Sequence, residues 1–172
     1  MAEQTKQNFS GEERFLLQKA LSRLACHDDT PRRLLERLLR LKYQGEEVSR
    51  EAGVNVVRFL VREGLLREKA YAKDLVSALK SRGYGTRRIL QELKNRKFSE
   101  GVVADVRASL EEEDGEAERA FFMLSRRSAS RRSDLSDRAE VSRLYAYLSR
   151  LGFSPDVCKQ ALNKLKAEDE EA

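Results

Sequence analysis

Tryptophan is absent from this 172-residue chain, histidine occurs once and proline twice. No stretch approaches the run of about 18 apolar residues that crosses a membrane, so no membrane partner is expected. The two cysteines, Cys26 and Cys158, are too few for a disulfide framework and match no zinc spacing. Reduced, buried thiols in a cytoplasmic protein are expected instead. Residues Met1 to Ser10 lack the basic-then-apolar order of an export signal. The lone imidazole, His27, precedes Asp28 and Asp29, but no second histidine or nearby cysteine completes a ligand set. Its neighbour Cys26 would point about 100° away on a helix and is not poised as a nucleophile. No glycine loop ending in Gly-Lys-Ser or Gly-Lys-Thr is present to cradle phosphate. No metal, no cofactor and no enzymatic activity are therefore expected.

Charge is abundant. Lys and Arg number 34 and Asp and Glu 29, for a net +5. Ten of the acids (Glu111, Glu112, Glu113, Asp114, Glu116, Glu118, Glu168, Asp169, Glu170 and Glu171) lie in two stretches without Lys or Arg, which leaves 34 bases against 19 acids elsewhere. A body of +15 favours polyanions or acidic protein surfaces as partners, although solubility alone would also account for it.

One helical segment recurs three times. With Arg33-Leu34-Leu35, Arg88-Ile89-Leu90 and Arg143-Leu144-Tyr145 in register, Leu38, Leu93 and Leu148 align at 55-residue steps, followed by Tyr43, Phe98 and Phe153. A fixed period signals supersecondary units that bury their apolar faces together. The expected fold is all-α, an elongated array of three tandem three-helix repeats: unit one over 10–66 with an insertion near 45–55, unit two over 67–112 and unit three over 113–167. The tails 1–9 and 168–172 are expected to be disordered.

In unit one, Ser10 and Glu13 have capping-box spacing ahead of Phe15, Leu16, Leu17, Ala20, Leu21 and Leu24. Thr30-Pro31 opens a stripe of Leu34, Leu35, Leu38 and Leu41, and a third helix with Val56, Val57, Leu60 and Val61 stops at Gly64. Unit two repeats the scheme, with Gly83-Tyr84-Gly85 as a turn. Unit three has Asp137 and Glu140 as a capping box and Ser154-Pro155 as its last cap. Helices of about 12–15 residues are marginal alone, so each trio must be held by packing. The residues around Gly45 to Asn55 are a surface insertion or an extended third helix, and the Ser/Arg-rich stretch Ser125 to Asp137 is expected to loop.

Arg33, Arg88 and Arg143 precede each apolar pair, and Arg40, Asn95 and Arg150 follow two turns later on nearly the same face. A repeated solvated face gives the same pattern. A surface lined up by stacking would instead follow a filament or a nucleic-acid backbone. Candidate contacts are Arg33, Arg40, Arg88, Lys94, Arg143 and Arg150, joined by Arg126, Arg127, Arg131 and Arg132, whose guanidinium forks match phosphate oxygens.

Gly64-Leu65-Leu66, Ala70-Tyr71-Ala72, Gly83-Tyr84-Gly85-Thr86-Arg87-Arg88-Ile89, Glu92-Leu93 and Lys97-Phe98-Ser99 follow one another in an order that, with the closing Tyr147-Leu148-Ser149-Arg150-Leu151-Gly152-Phe153-Ser154, resembles the RecX family. Those proteins modulate the bacterial recombinase RecA. The resemblance runs from about Leu21 to Leu165. It departs from the family after Gly64-Leu65, where Arg67 replaces the first of two acids and only Glu68 remains. It implies tandem helical units lying in the groove of the RecA filament on DNA, restraining ATP hydrolysis, strand exchange and the co-protease function of the DNA-damage response. The implied partner is that filament, with weak binding to single- or double-stranded DNA, and a monomer is the default. The alternative is a direct nucleic-acid binder in which Pro31 to Gly64 acts as a helix-turn-helix reader.

Overall fold

A computed structural model describes residues 9–113, 115–131, 135 and 137–170. Nine helices are present among them: α1 (Gly11–Leu24), α2 (Pro31–Leu38), α3 (Arg50–Arg62), α4 (Glu68–Ser81), α5 (Thr86–Asn95), α6 (Glu100–Glu112), α7 (Glu116–Arg131), α8 (Arg138–Leu151) and α9 (Pro155–Glu170). The class is all-α, with three helix trios in succession along the chain. The one departure is a hairpin of two-residue strands, β1 (Lys42–Tyr43) and β2 (Glu46–Glu47), paired antiparallel.

Local chemistry starts and stops these helices where the sequence indicates. At α1 the Glu13 amide donates to Ser10 Oγ (3.1 Å) and the Ser10 amide donates to Glu13 Oε2 (2.8 Å), which closes the capping box. That backbone donor, with Asn55 Nδ2, holds the Glu13 carboxyl below its ordinary value. Thr30 and Ser49 cap α2 and α3 with the side-chain half of that arrangement, accepting from the Arg33 and Ala52 amides. After α3, Gly64 turns left-handed (φ +66°), and the Leu65 and Leu66 amides both reach back to the Leu60 carbonyl.

Packing divides the chain into two compact units, one running to Tyr71 and including Arg96–Ser99, the other comprising Ala72–Asn95 and Glu100 onward. The first centres on Leu16, Ala20, Leu34, Leu38, Val56 and Leu60, closed by Val48 and Leu66. In the second, Ala120, Leu124, Leu144, Leu148, Phe153 and Cys158 form a core under Leu135, while Val76, Leu79, Ile89, Leu93, Val102 and Val103 are buried in the middle trio. The aligned Leu38, Leu93 and Leu148 are at most 3% exposed. Each contributes about 1.5–3 kcal/mol by burial.

The 55-residue period extends into hydrogen bonds. In the first unit Thr30 Oγ1 donates to the Arg96 carbonyl (3.0 Å); in the second the Gly85 amide donates to the Leu151 carbonyl (2.9 Å) and the Arg87 amide to that of Gly152 (3.0 Å). Thr30 and Gly85, like Arg96 and Leu151, stand one period apart. So do Lys97 and Gly152, both with positive φ (61° and 91°). In each case the start of a second helix is joined to the end of the next trio's second helix. A carboxylate clamp also recurs. Glu12 accepts from the Ser49 amide and hydroxyl (2.6 and 2.9 Å), and Glu68 accepts from those of Ser99 (2.8 and 2.9 Å), so each acid fixes the residue before a third helix.

The residues around Gly45 to Asn55 divide between the two readings: up to Glu47 they close an exposed hairpin, whose turn residues Gln44 and Gly45 both have positive φ (52° and 90°), and from Arg50 they are the first turns of α3. Other expectations are corrected. From Ser125 to Arg131 the stretch expected to loop is the last part of α7, whose Phe121 and Leu124 pack into the core and whose Arg127 lies over Tyr147. The N-cap Asp137 accepts from the Ala139 amide (2.9 Å), while Glu140 pairs with Arg143 instead of completing a capping box. Leu21 and Val61, placed on apolar stripes, are 41% and 46% exposed. Cys26 is exposed; only Cys158 is buried.

Candidate partner-binding surface

Cationic side chains in the first unit gather around one acid. The Asp29 carboxylate is fully buried just before α2, where Arg23 of α1 donates to Oδ2 (2.7 Å), Arg37 Nε lies at 3.3 Å and Arg33 Nε lies 3.7 Å from Oδ1. The Thr30 amide also donates to Oδ1 (3.1 Å). A buried carboxylate requires such partners to offset its lost hydration. Three guanidinium groups around one carboxylate leave two positive charges in excess. Their side chains are 29–39% exposed, so this excess faces solvent. Asp29, Arg33 and Arg37 follow four-residue steps and were legible as an ion-pair ladder. Arg23, from another helix, was not. Nearby, Glu36 pairs with Arg32 (3.8 Å) and with Lys97, whose hydrogen bond holds its carboxyl below the ordinary value. Arg96 Nη1 donates to Tyr71 Oη (2.8 Å), and Tyr71 packs on Phe98. Arg40 is exposed.

In the second unit Arg88 pairs with Glu92 (3.1 Å) and lies over Tyr84, while Arg143 pairs with Glu140 (3.0 Å). These are exposed intrahelical pairs, each worth about 0.2–0.5 kcal/mol. The aligned arginines therefore share a helix position without sharing surroundings: Arg33 is tied to a fully buried acid ahead of its helix, Arg88 and Arg143 to partly buried acids on their own helices. Lys94 and Arg150 are exposed. On α7, Arg126 lies over Phe122 (5.7 Å) and Arg127 over Tyr147 of α8 (4.3 Å), geometries that keep a guanidinium on an aromatic face. Arg131 ends α7. Arg132 lies outside the described residues.

No group of three or more His, Cys, Asp and Glu is placed to hold a metal ion among the described residues, and no helix there is long and apolar enough to cross a membrane. His27 is exposed.

Comparison with known proteins settles what kind of chain carries these charges. It is 31% identical over 127 residues to the "Regulatory protein RecX" of Trichlorobacter lovleyi, covering 73% of this chain and 82% of that protein. To the protein of the same name from Halorhodospira halophila it is 32% identical over 154 residues, 88% of each. The chain belongs to the RecX family. Solved RecX structures share its fold: the crystal structure of RecX from Lactobacillus salivarius superposes with a TM-score of 0.77 at 17% identity, covering 91% of this chain and 97% of that one. A second crystal structure of regulatory protein RecX gives 0.71 at 18% identity, covering 88% and 72%. No family model matches the sequence. Its RecX relatives are named regulatory proteins, in keeping with a surface of arranged charges.

Proposed function

We propose that this RecX-family chain regulates the RecA recombinase by binding its filament on DNA and restraining ATP hydrolysis, strand exchange and the co-protease function. Family membership carries the reading. The repeated junctions support it, because units built alike present similar elements to a partner that is itself a repeating polymer. The units are those of residues 10–66, 67–112 and 113–167. Arg33, Arg40, Arg88, Lys94, Arg143 and Arg150 are the proposed contacts, with Arg126, Arg127, Arg131 and Arg132 beside them. Several weak contacts on one chain pool their free energies, since after the first engages the others meet a high effective concentration. Holding neighbouring protomers in place would then slow turnover without any chemistry by the regulator, acting as a cytoplasmic monomer with weak affinity for free DNA.

The test is RecA-dependent ATP hydrolysis on single-stranded DNA with the purified chain added below stoichiometry, together with its binding to naked DNA over a salt series. Inhibition at low ratios with weak, steeply salt-sensitive DNA binding is the expected result. No inhibition, together with tight sequence-selective DNA binding, would overturn the proposal in favour of a helix-turn-helix reader.

A further inference from the structure

On α7 the buried side chains are Ala120 and Leu124, both fully enclosed, yet Phe122 between them is 58% exposed. It is the most exposed large apolar side chain among the described residues. A groove of about 560 Å³ opens beside it, lined by Lys80, Arg82, Gly83, Arg119, Met123 and Arg126 together with Ser81, Glu118 and Phe122 itself. Gly83 permits this shape. A Cβ there would fall 2.3 Å from Met123 Sδ, so the missing side chain lets Met123 settle onto the end of α4 and form the apolar floor with Phe122. The rim is cationic. Lys80 is bonded to Glu113, whose carboxyl it holds below the ordinary value, while Arg119 Nε is buried without a hydrogen-bond partner. Lys80, Arg82, Arg119 and Arg126 face Glu118 in the lining and Glu113 beside it, so the groove keeps an excess of two positive charges.

We infer that this groove takes an acidic protein segment, seating one apolar or aromatic side chain against Phe122 and Met123 and its carboxylates on Arg82, Arg119 and Arg126. An apolar anchor in a pocket rimmed by arginines is the anatomy of a protein-interface hot spot. Charge complementarity selects an acidic occupant, whose carboxylates match the guanidinium forks that line the groove. A single-stranded nucleic acid fits less well: it needs successive aromatic platforms along a basic track, whereas here one ring stands alone and one of its faces already carries the Arg126 guanidinium. The inference deepens the filament-regulator reading and rests on it for the identity of the partner, though the groove's chemistry is independently measurable.

The experiment is fluorescence anisotropy on the full chain with three probes: a labelled peptide with one phenylalanine between aspartate pairs, the same peptide with alanine in its place, and labelled oligothymidylate. The phenylalanine peptide should bind saturably, and Phe122→Ala and Arg126→Glu should each weaken it by about tenfold or more. The alanine peptide should bind as poorly to the unaltered chain, and Phe122→Ala should leave oligothymidylate affinity unchanged. Phe122 is largely in solvent, so circular dichroism should show that variant folded. Absence of saturable peptide binding, equal binding by Phe122→Ala, or an equal loss of oligothymidylate would overturn the inference. If the peptide binds through Phe122 but RecA-dependent hydrolysis is untouched by the chain, the filament reading fails and the groove stands. If hydrolysis is inhibited but no peptide binds, the filament reading stands and the groove fails.

Discussion

Gly85 and Gly152 meet backbone to backbone at the join of α5 and α8. A Cβ on Gly85 would stand 2.6 Å from the Gly152 carbonyl, and one on Gly152 would stand 2.4 Å from the Cβ of Arg88. Absence of side chains lets the Gly85 and Arg87 amides, orphan donors at a helix start, reach the Leu151 and Gly152 carbonyls left over at a helix end. Glu116 completes the arrangement by accepting from the Thr86 amide (2.7 Å).

Alanine at either glycine should therefore be costly. Gly85→Ala forces this contact apart, for about 1–3 kcal/mol, and Gly152→Ala adds a left-handed φ penalty of about 1–2 kcal/mol to the same clash. Gly101, in α6 with open space around it, is the contrast: Gly101→Ala should stabilise by about 0.4–1 kcal/mol. Urea unfolding midpoints of the three variants decide the matter, and a neutral Gly152→Ala would refute the close-contact account.

Asp29 should matter more than any of the arginines around it. Asp29→Asn removes the charge shared by Arg23, Arg33 and Arg37 and should cost about 1.5–3 kcal/mol, the worth of hydrogen bonds to a charged group. Arg33→Ala should cost less than about 1 kcal/mol, because its pairing is long and partly solvated. Chemical denaturation compares them; equal losses would mean that Asp29 does not organise the cluster.

Acid should loosen α1. Glu13 titrates below its ordinary value of 4.5 when folded, so its contribution is present above that value and is lost as pH falls through the lowered one. Glu13→Gln should accordingly be less stable than the parent near neutral pH, and the gap should close on acidification. A difference in denaturation midpoint that stays constant with pH would contradict this.

The two thiols should behave as different species. Cys26 is exposed, whereas Cys158 is fully buried and desolvation pushes its pKa up. Titration of the folded protein with an aromatic disulfide reagent should show one fast equivalent, abolished by Cys26→Ser, with the second appearing only in denaturant. Two fast equivalents would show that the packing of α9 on α7 and α8 does not enclose Cys158.

Helix identity, the caps at Ser10 and Thr30, and the equivalence of Leu38, Leu93 and Leu148 could be read from order alone, because each depends on neighbours within a turn or two or on a period that the chain repeats. The turn at Gln44-Gly45 was missed since glutamine seldom marks a left-handed residue, and α7 was cut short because Ser and Arg there mask a helix held on its other face by Phe121 and Leu124. Which arginines of different helices stand near one another was beyond a periodic reading. Arg23 reaches Asp29 from a different helix, Gly85 meets Gly152 across 67 positions, and Phe122 is left in solvent because Ala120 and Leu124 take the core side of α7. Periodicity assigns a residue to a face; only the packing of one helix on another decides what that face meets, since Coulombic and steric contacts depend on distance in space and not along the chain.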